Sequence, residues 1–169
     1  MVRVRPARPD DAAAVAVVHV RSWQAAYRGL MPDDYLDGLR SEDRQGRYTF
    51  GLSDPDAPAT VVAEVDGIIR GFATTGPARD DDAGDQGELF GFYVDPDVWG
   101  QGIGRLLMAR ARDRLVGRGW RSALLWVLVG NSRAERFYAA DGWVADGEKR
   151  TDEVWGVIVE ETRYRRRLP

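Results

Sequence analysis

The chain of 169 residues has no cysteine, a single histidine and a single lysine, and none of its apolar runs nears the length of a membrane span. Each shortage removes a class of chemistry. Without cysteine there can be no disulfide, no thiolate metal site and no covalent thiol intermediate. One histidine, His19, leaves a histidine metal site or a serine triad short of partners, so no metal is expected. A helix that crosses a bilayer needs about 20 apolar residues, and the start MVRVRPARPDD lacks the apolar core of a secretion signal. The expectation is a cytoplasmic protein with no membrane partner. Lys149 is the one lysine among 24 basic residues, a bias toward arginine that GC-rich coding produces by itself. Acidic residues outnumber basic ones, and the net charge of −3 argues against a surface built for nucleic acid.

The length suits one domain, taken as residues 1–169, with a sizeable core. VRVRP alternates like a short strand, and PDDAAAVAVVHVRSWQAAY has the acidic start and apolar repeat of a helix that Gly29 ends. MPDDYLDGL and SEDRQGRYTFGL read as two shorter helical segments. ATVVAEV and IIRGFATTGP flank Asp66-Gly67, a strong hairpin signal. The polar stretch Ala78 to Gly87 reads as a surface loop ahead of the strand ELFGFYV. GIGRLLMARARDRLVGRG has helical spacing closed by Gly117 and Gly119, and SALLWVLV reads as a buried strand. NSRAERFYAADGW then makes a short helix, and WVADGEKR and EVWGVIVEETRYRRRL are two closing strands. The strand–helix–strand crossover in the middle predicts parallel pairing there, and the hairpins at either side predict antiparallel neighbours.

VDPDVWGQGIGRLLM places three glycines at every second position between a proline-marked turn and a helix. Such a loop presents unpaired backbone N–H groups and the positive end of the helix dipole, which suits a phosphate. A dinucleotide fingerprint begun at Gly100 requires glycine at 105, where Arg105 stands, and a P-loop begun there requires Gly-Lys. Both readings fail, and with them a nucleotide-phosphate enzyme.

Strand, V-x-P, then a G-x-G-x-G loop opening a helix resembles the acyl-CoA motif of the GNAT superfamily of N-acetyltransferases. NSRAERFYAADGW resembles that family's second signature, and HVRSWQAAYRGLMPDDYLDGL resembles the first helices of one bacterial subgroup. The resemblance implies an α/β (α+β) fold: a twisted, mixed, mostly antiparallel sheet of about seven strands flanked by about four to five helices. It implies acetyl-CoA as co-substrate, held by Gly100, Gln101, Gly102, Ile103, Gly104 and Arg105 of the loop and by the strand backbone at Phe92, Tyr93 and Val94. The family's loop usually starts with Arg or Gln, and Trp99 stands there instead. A pyrophosphate grip that rests mainly on backbone N–H groups survives that departure. Gly91 is consistent with a bulge or a close approach.

The implied reaction is direct attack of an amine on the thioester, for a small-molecule or peptide acceptor, with homodimers frequent among relatives. Tyr138, in the position the family uses to protonate the departing thiolate, is protonated at neutral pH with a reference pKa of about 10; the other reading is an aromatic core pair with Phe137. Glu88 resembles acidic positions used as the base for the amine, or it is a solvated strand end. Asn131 caps its helix, contacts the pantetheine, or both. His19, Trp23 and Tyr27 can line the acceptor pocket, as can Tyr35, or pack in the core. The acidic run around Asp80, Asp81, Asp82 and Asp85 reads as a solvated loop, and Arg163 with Arg165 to Arg167 as charges guarding an edge strand. The competing function is a regulatory domain that binds acyl-CoA without turnover.

Overall fold

The computed structural model describes residues 1–54 and 56–169. Seven strands, β1 (Val2–Pro6), β2 (Ala59–Val65), β3 (Ile68–Pro77), β4 (Gly87–Val94), β5 (Ser122–Leu128), β6 (Val144–Val154) and β7 (Val157–Arg167), form the sheet. Helices α1 (Ala12–Ala26), α2 (Asp33–Asp37) and α3 (Glu42–Gln45) follow β1, α4 (Ile103–Gly117) joins β4 to β5, and α5 (Ser132–Ala140) follows β5. The spatial order is β1-β2-β3-β4-β5-β7-β6. Only β4 and β5 run parallel; every other neighbouring pair is antiparallel. The mixed sheet predicted from the crossover and the hairpins is the one found.

The alternation of side chains along β2 explains why both faces are covered. Val61 and Ala63 enter a core with Leu107, Met108 and Ala111 of α4, whereas Val62 between them meets Val15 and Val18 of α1 on the other face. Asp66 and Gly67, with φ of 51° and 82°, make the tight β2–β3 turn in the doubly left-handed conformation that an Asp-Gly pair favours. No helix among the described residues is long and apolar enough to cross a membrane.

Two sequence expectations need correction. SEDRQGRYTFGL is helical over Glu42–Gln45 alone. Its aromatics Tyr48 and Phe50 stack on each other at 5.7 Å and pack beside Phe72, so burial of bulky rings overrides the helical pattern after Gly46. The second concerns the arginines of β7. This strand lies between β5 and β6, so Arg163 guards no edge. Its guanidinium is buried and reaches Asp80 at 2.9 Å, Asp82 at 2.7 Å and Asp146 at 2.7 Å. The acidic loop before β4 is exposed at Asp81, Asp82 and Asp85 as expected, but it is also tied down by this cation through Asp80 and Asp82. Hydrogen bonding to Arg163 holds the Asp82 carboxyl below the usual carboxylate range.

Removing a partner from a buried ion cluster leaves uncompensated charge, at a cost of about 3 kcal/mol or more. Arg163→Ala is expected to lose about that much stability in urea unfolding, while Arg167→Ala, at an exposed position, changes it by less than about 0.5 kcal/mol.

Candidate active site

The site begins where the sheet stops pairing. β4 and β5 bond over Gly87–Leu89 and Ala123–Leu125. Beyond that β5 continues to Leu128 against β7, and β4 continues to Val94 against β3. Thr74 pairs with Gly91 and Thr75 with Leu89, so Phe90 is the extra residue of a bulge. A bulge bends its strand and raises the local twist, which turns β4 away from β5. Between them lies a cavity of about 1060 Å³.

The strand backbone is aimed into this gap. Asp95 N–H donates to the Arg70 carbonyl on the β3 side at 2.7 Å. Val94, one residue earlier, turns its carbonyl the other way, where it accepts from Ser22 Oγ at 3.1 Å and Trp99 Nε1 at 2.7 Å. Alternation then directs the N–H groups of Val94 and Phe92 toward the gap and that of Tyr93 toward β3.

The three loop glycines serve different ends. Gly100 and Gly102 have φ of 76° and 84°, a backbone that side-chain-bearing residues rarely adopt, and a Cβ on either would meet open space. Gly104 sits in the helix, where a Cβ would come within 3.2 Å of Phe137 Cε2, so this glycine lets α5 lie against the first turn of α4. Gly102 caps α4 without any side-chain hydrogen bond, which leaves the first N–H groups of the helix free for an anion. Asp95, buried between Arg21 at 3.2 Å and Arg70 at 3.3 Å, accepts from Asp97 N–H and anchors the turn that leads into the loop.

The cavity wall includes Phe92, Tyr93, Val94, Trp99, Gly100, Gly102, Gly104, Arg105, Asn131, Tyr138, Trp23 and Tyr27, twelve of the residues expected from sequence. Gln101 is exposed on the loop, and the Ile103 side chain belongs to the core under α4. Asn131 caps α5 by accepting from Ala134 N–H at 3.3 Å. Burial pushes the Tyr138 hydroxyl well above its ordinary pKa, so it stays protonated. Glu88 is no solvated strand end: it is 2% exposed, accepts from Arg79 N–H at 3.2 Å, and lies behind the wall, with burial raising its pKa. His19 also stands behind the wall, stacked on Tyr93 at 4.7 Å, with Nδ1 bonded to the Tyr48 hydroxyl. Burial and the nearby Arg44 push its pKa down to about 3, which keeps the ring neutral.

The two closing strands expected from sequence do pair, but their turn lies inside EVWGV, so β6 runs on to Val154 and the hairpin reaches the cavity, which the sequence did not indicate. Its tip, Trp155-Gly156 with φ of 56° and 81°, folds onto the helices: Tyr35 Oη donates to the Trp155 carbonyl, and the Arg44 guanidinium lies 3.3 Å from the ring centre. The hairpin brings Arg150, Asp152, Glu153, Trp155 and Glu161 to the cavity. The left-handed turn was readable from a residue-Gly pair between β-rich runs, but its docking on α1 to α3 is tertiary.

A split parallel pair, a glycine loop capping a helix, and a tyrosine on the next helix facing the same gap meet in this order over residues 87–138. Residues 20–143 match the model of the acetyltransferase (GNAT) family. The chain belongs to the GNAT family. It is 34% identical over 131 residues to an uncharacterized N-acetyltransferase of Bacillus subtilis, covering 78% of this chain and 74% of that one. A phosphinothricin N-acetyltransferase of Alcaligenes faecalis is 32% identical over 148 residues, covering 85% and 71%. The fold matches YncA of Salmonella typhimurium, solved with its cofactor acetyl-CoA, at a TM-score of 0.72 and 20% identity over 100% of this chain and 95% of that one. As a GNAT member the chain is an acetyl-CoA-dependent N-acetyltransferase.

In this GNAT protein Gly102→Ala forces a left-handed alanine, which costs about 1–2 kcal/mol. Thermal unfolding is expected to show that loss, and titration a weaker grip on CoA. Gly46→Ala, at φ of −71° and in open space, is expected to leave both unchanged.

Proposed function

We propose that the enzyme transfers acetyl directly to a primary amine while both substrates are bound, with Tyr138 as the acid for sulfur. The observation that carries this reading is the single cavity that joins the glycine loop, the freed edge of β4 and Tyr138 to the aromatic wall of Trp23, Tyr27 and Trp155. One end suits an anionic, amide-bearing chain and the other suits an amine, with the N–H groups of Phe92 and Val94 beside the junction as oxyanion donors.

The amine nitrogen attacks the thioester carbon, the C–N bond forms, the oxyanion collapses, and the C–S bond breaks. Sulfur leaves as thiolate and takes the Tyr138 proton. Burial that raises the tyrosine also raises the proton affinity of a thiolate released in the same cavity, so the transfer is not penalised by desolvation of one partner alone. The amine in turn gives a proton to a carboxylate. Glu161 opens on the cavity, accepts from Arg150 Nε at 2.9 Å, and its charge bears on both Tyr27 and Tyr93. Glu88 is the second reading, supported by its raised pKa, and acts at one remove through water beside Arg79.

Tyr138→Phe is expected to lower kcat by about 100-fold or more with CoA affinity unchanged, measured by thiol release and calorimetry. Equal turnover would remove the tyrosine from the mechanism. The two carboxylates separate by pH profile. Loss of the acidic limb of kcat/KM in Glu161→Gln supports direct action, whereas its loss in Glu88→Gln alone, from a limb displaced above the usual carboxylate range, assigns the base to Glu88. CoA binding without thiol release across a broad amine panel would favour the non-catalytic binder.

A further inference from the structure

Trp99 occupies the position where loops of this kind usually begin with a polar side chain, and it is not idle. Its indole is fixed by the Nε1 bond to the Val94 carbonyl at 2.7 Å. The guanidinium of Arg133 lies across the ring, with Cζ 3.4 Å from the ring centre. Stacking occupies the flat face of a guanidinium and leaves its in-plane N–H donors free. Desolvation, and after it the charge of another cation, Arg136, lower the Arg133 pKa. A pre-oriented cation with no carboxylate partner among the described residues, beside a ligand cavity, is a receptor for an anion.

Its place in the fold says which anion. Arg133 is one turn before Phe137 on α5, the helix that touches the start of α4, and it lines the same cavity as Gly100, Gly102 and Arg105. CoA carries a pyrophosphate and, separately, a phosphate on the ribose 3′ oxygen. The pyrophosphate is matched by the backbone N–H groups of the loop and of the first turn of α4. The second phosphate cannot share those donors and needs a cation beyond them.

We propose that Arg133, seated on Trp99, binds the 3′-phosphate of CoA and makes the enzyme discriminate against donors that lack it. The polar contact missing at position 99 is thus supplied from the opposite wall, with the indole as its platform. This rests on acetyl-CoA being the donor.

Calorimetric titration with CoA and with 3′-dephospho-CoA tests it. Wild type is expected to bind CoA about tenfold or more tightly than the dephospho form, as for a charge-assisted hydrogen bond to phosphate. In Arg133→Ala the two are expected to bind alike, with the dephospho-CoA Kd within about twofold of wild type. Arg133→Gln, which keeps the stem over the indole, should lose the preference as well, and Trp99→Ala should narrow it. Arg133 is exposed, and thermal unfolding of the variants checks that the fold is intact. Equal weakening of both nucleotides in Arg133→Ala would assign the guanidinium to the pyrophosphate and overturn the proposal. So would an undiminished preference in that variant, or no preference in wild type. A wild-type protein that binds neither nucleotide overturns the donor assignment too.

Discussion

Beyond Leu89, β4 and β5 no longer exchange hydrogen bonds, and an open backbone edge is left in the interior of the sheet. Buried N–H and C=O groups need partners, so such an edge persists only where a ligand or water can supply them. The bulge at Phe90 keeps the strands apart, the Asp95 anchor fixes the end of β4, and the free start of α4 closes one end of the gap. Loop, helix start and tyrosine take their meaning from that split. A sheet paired through to Val94 would be a better sheet and would leave no cavity between β4 and β5.

The abundance of arginine, which coding bias explains as composition, is used structurally in a way lysine could not reproduce. Four of the six tryptophans carry a guanidinium on the ring: Trp99 with Arg133, Trp120 with Arg118, Trp126 with Arg150, and Trp155 with Arg44. A planar cation can stack and still donate in its plane, as Arg150 does to Glu161, whereas an ammonium is a point charge. Three of these stacks, those of Trp99, Trp126 and Trp155, contribute residues to the cavity, so composition with a genomic origin has become part of the wall.

Local pattern was enough to read most of the architecture. Asp66-Gly67 announced the hairpin, the apolar run SALLWVLV announced a buried strand, and the spacing of Ile103, Leu106, Leu107, Ala111 and Leu115 announced α4, although Leu106 is exposed and the other four face the core. That the loop, β4 and α5 share one cavity was legible for the same reason, because the three are close in sequence. What failed was whatever depends on distant contacts. Arg163 looked like edge protection because nothing local reveals that β7 inserts between β5 and β6. The burial of Glu88 is likewise unannounced by its place at a strand start, whereas His19 took the core position that the sequence also offered it. Arg133 was overlooked although it shares a helix face with Phe137, since its partner Trp99 lies 34 positions away.

The part of the chain matched by the family model ends at residue 143, and the β6–β7 hairpin begins at Val144. Part of the cavity wall is thus written in a contiguous stretch outside the matched segment, while the glycine loop, β4 and α5 lie within it. A change in that hairpin reshapes one side of the cavity and leaves the glycine loop and the split between β4 and β5 as they are.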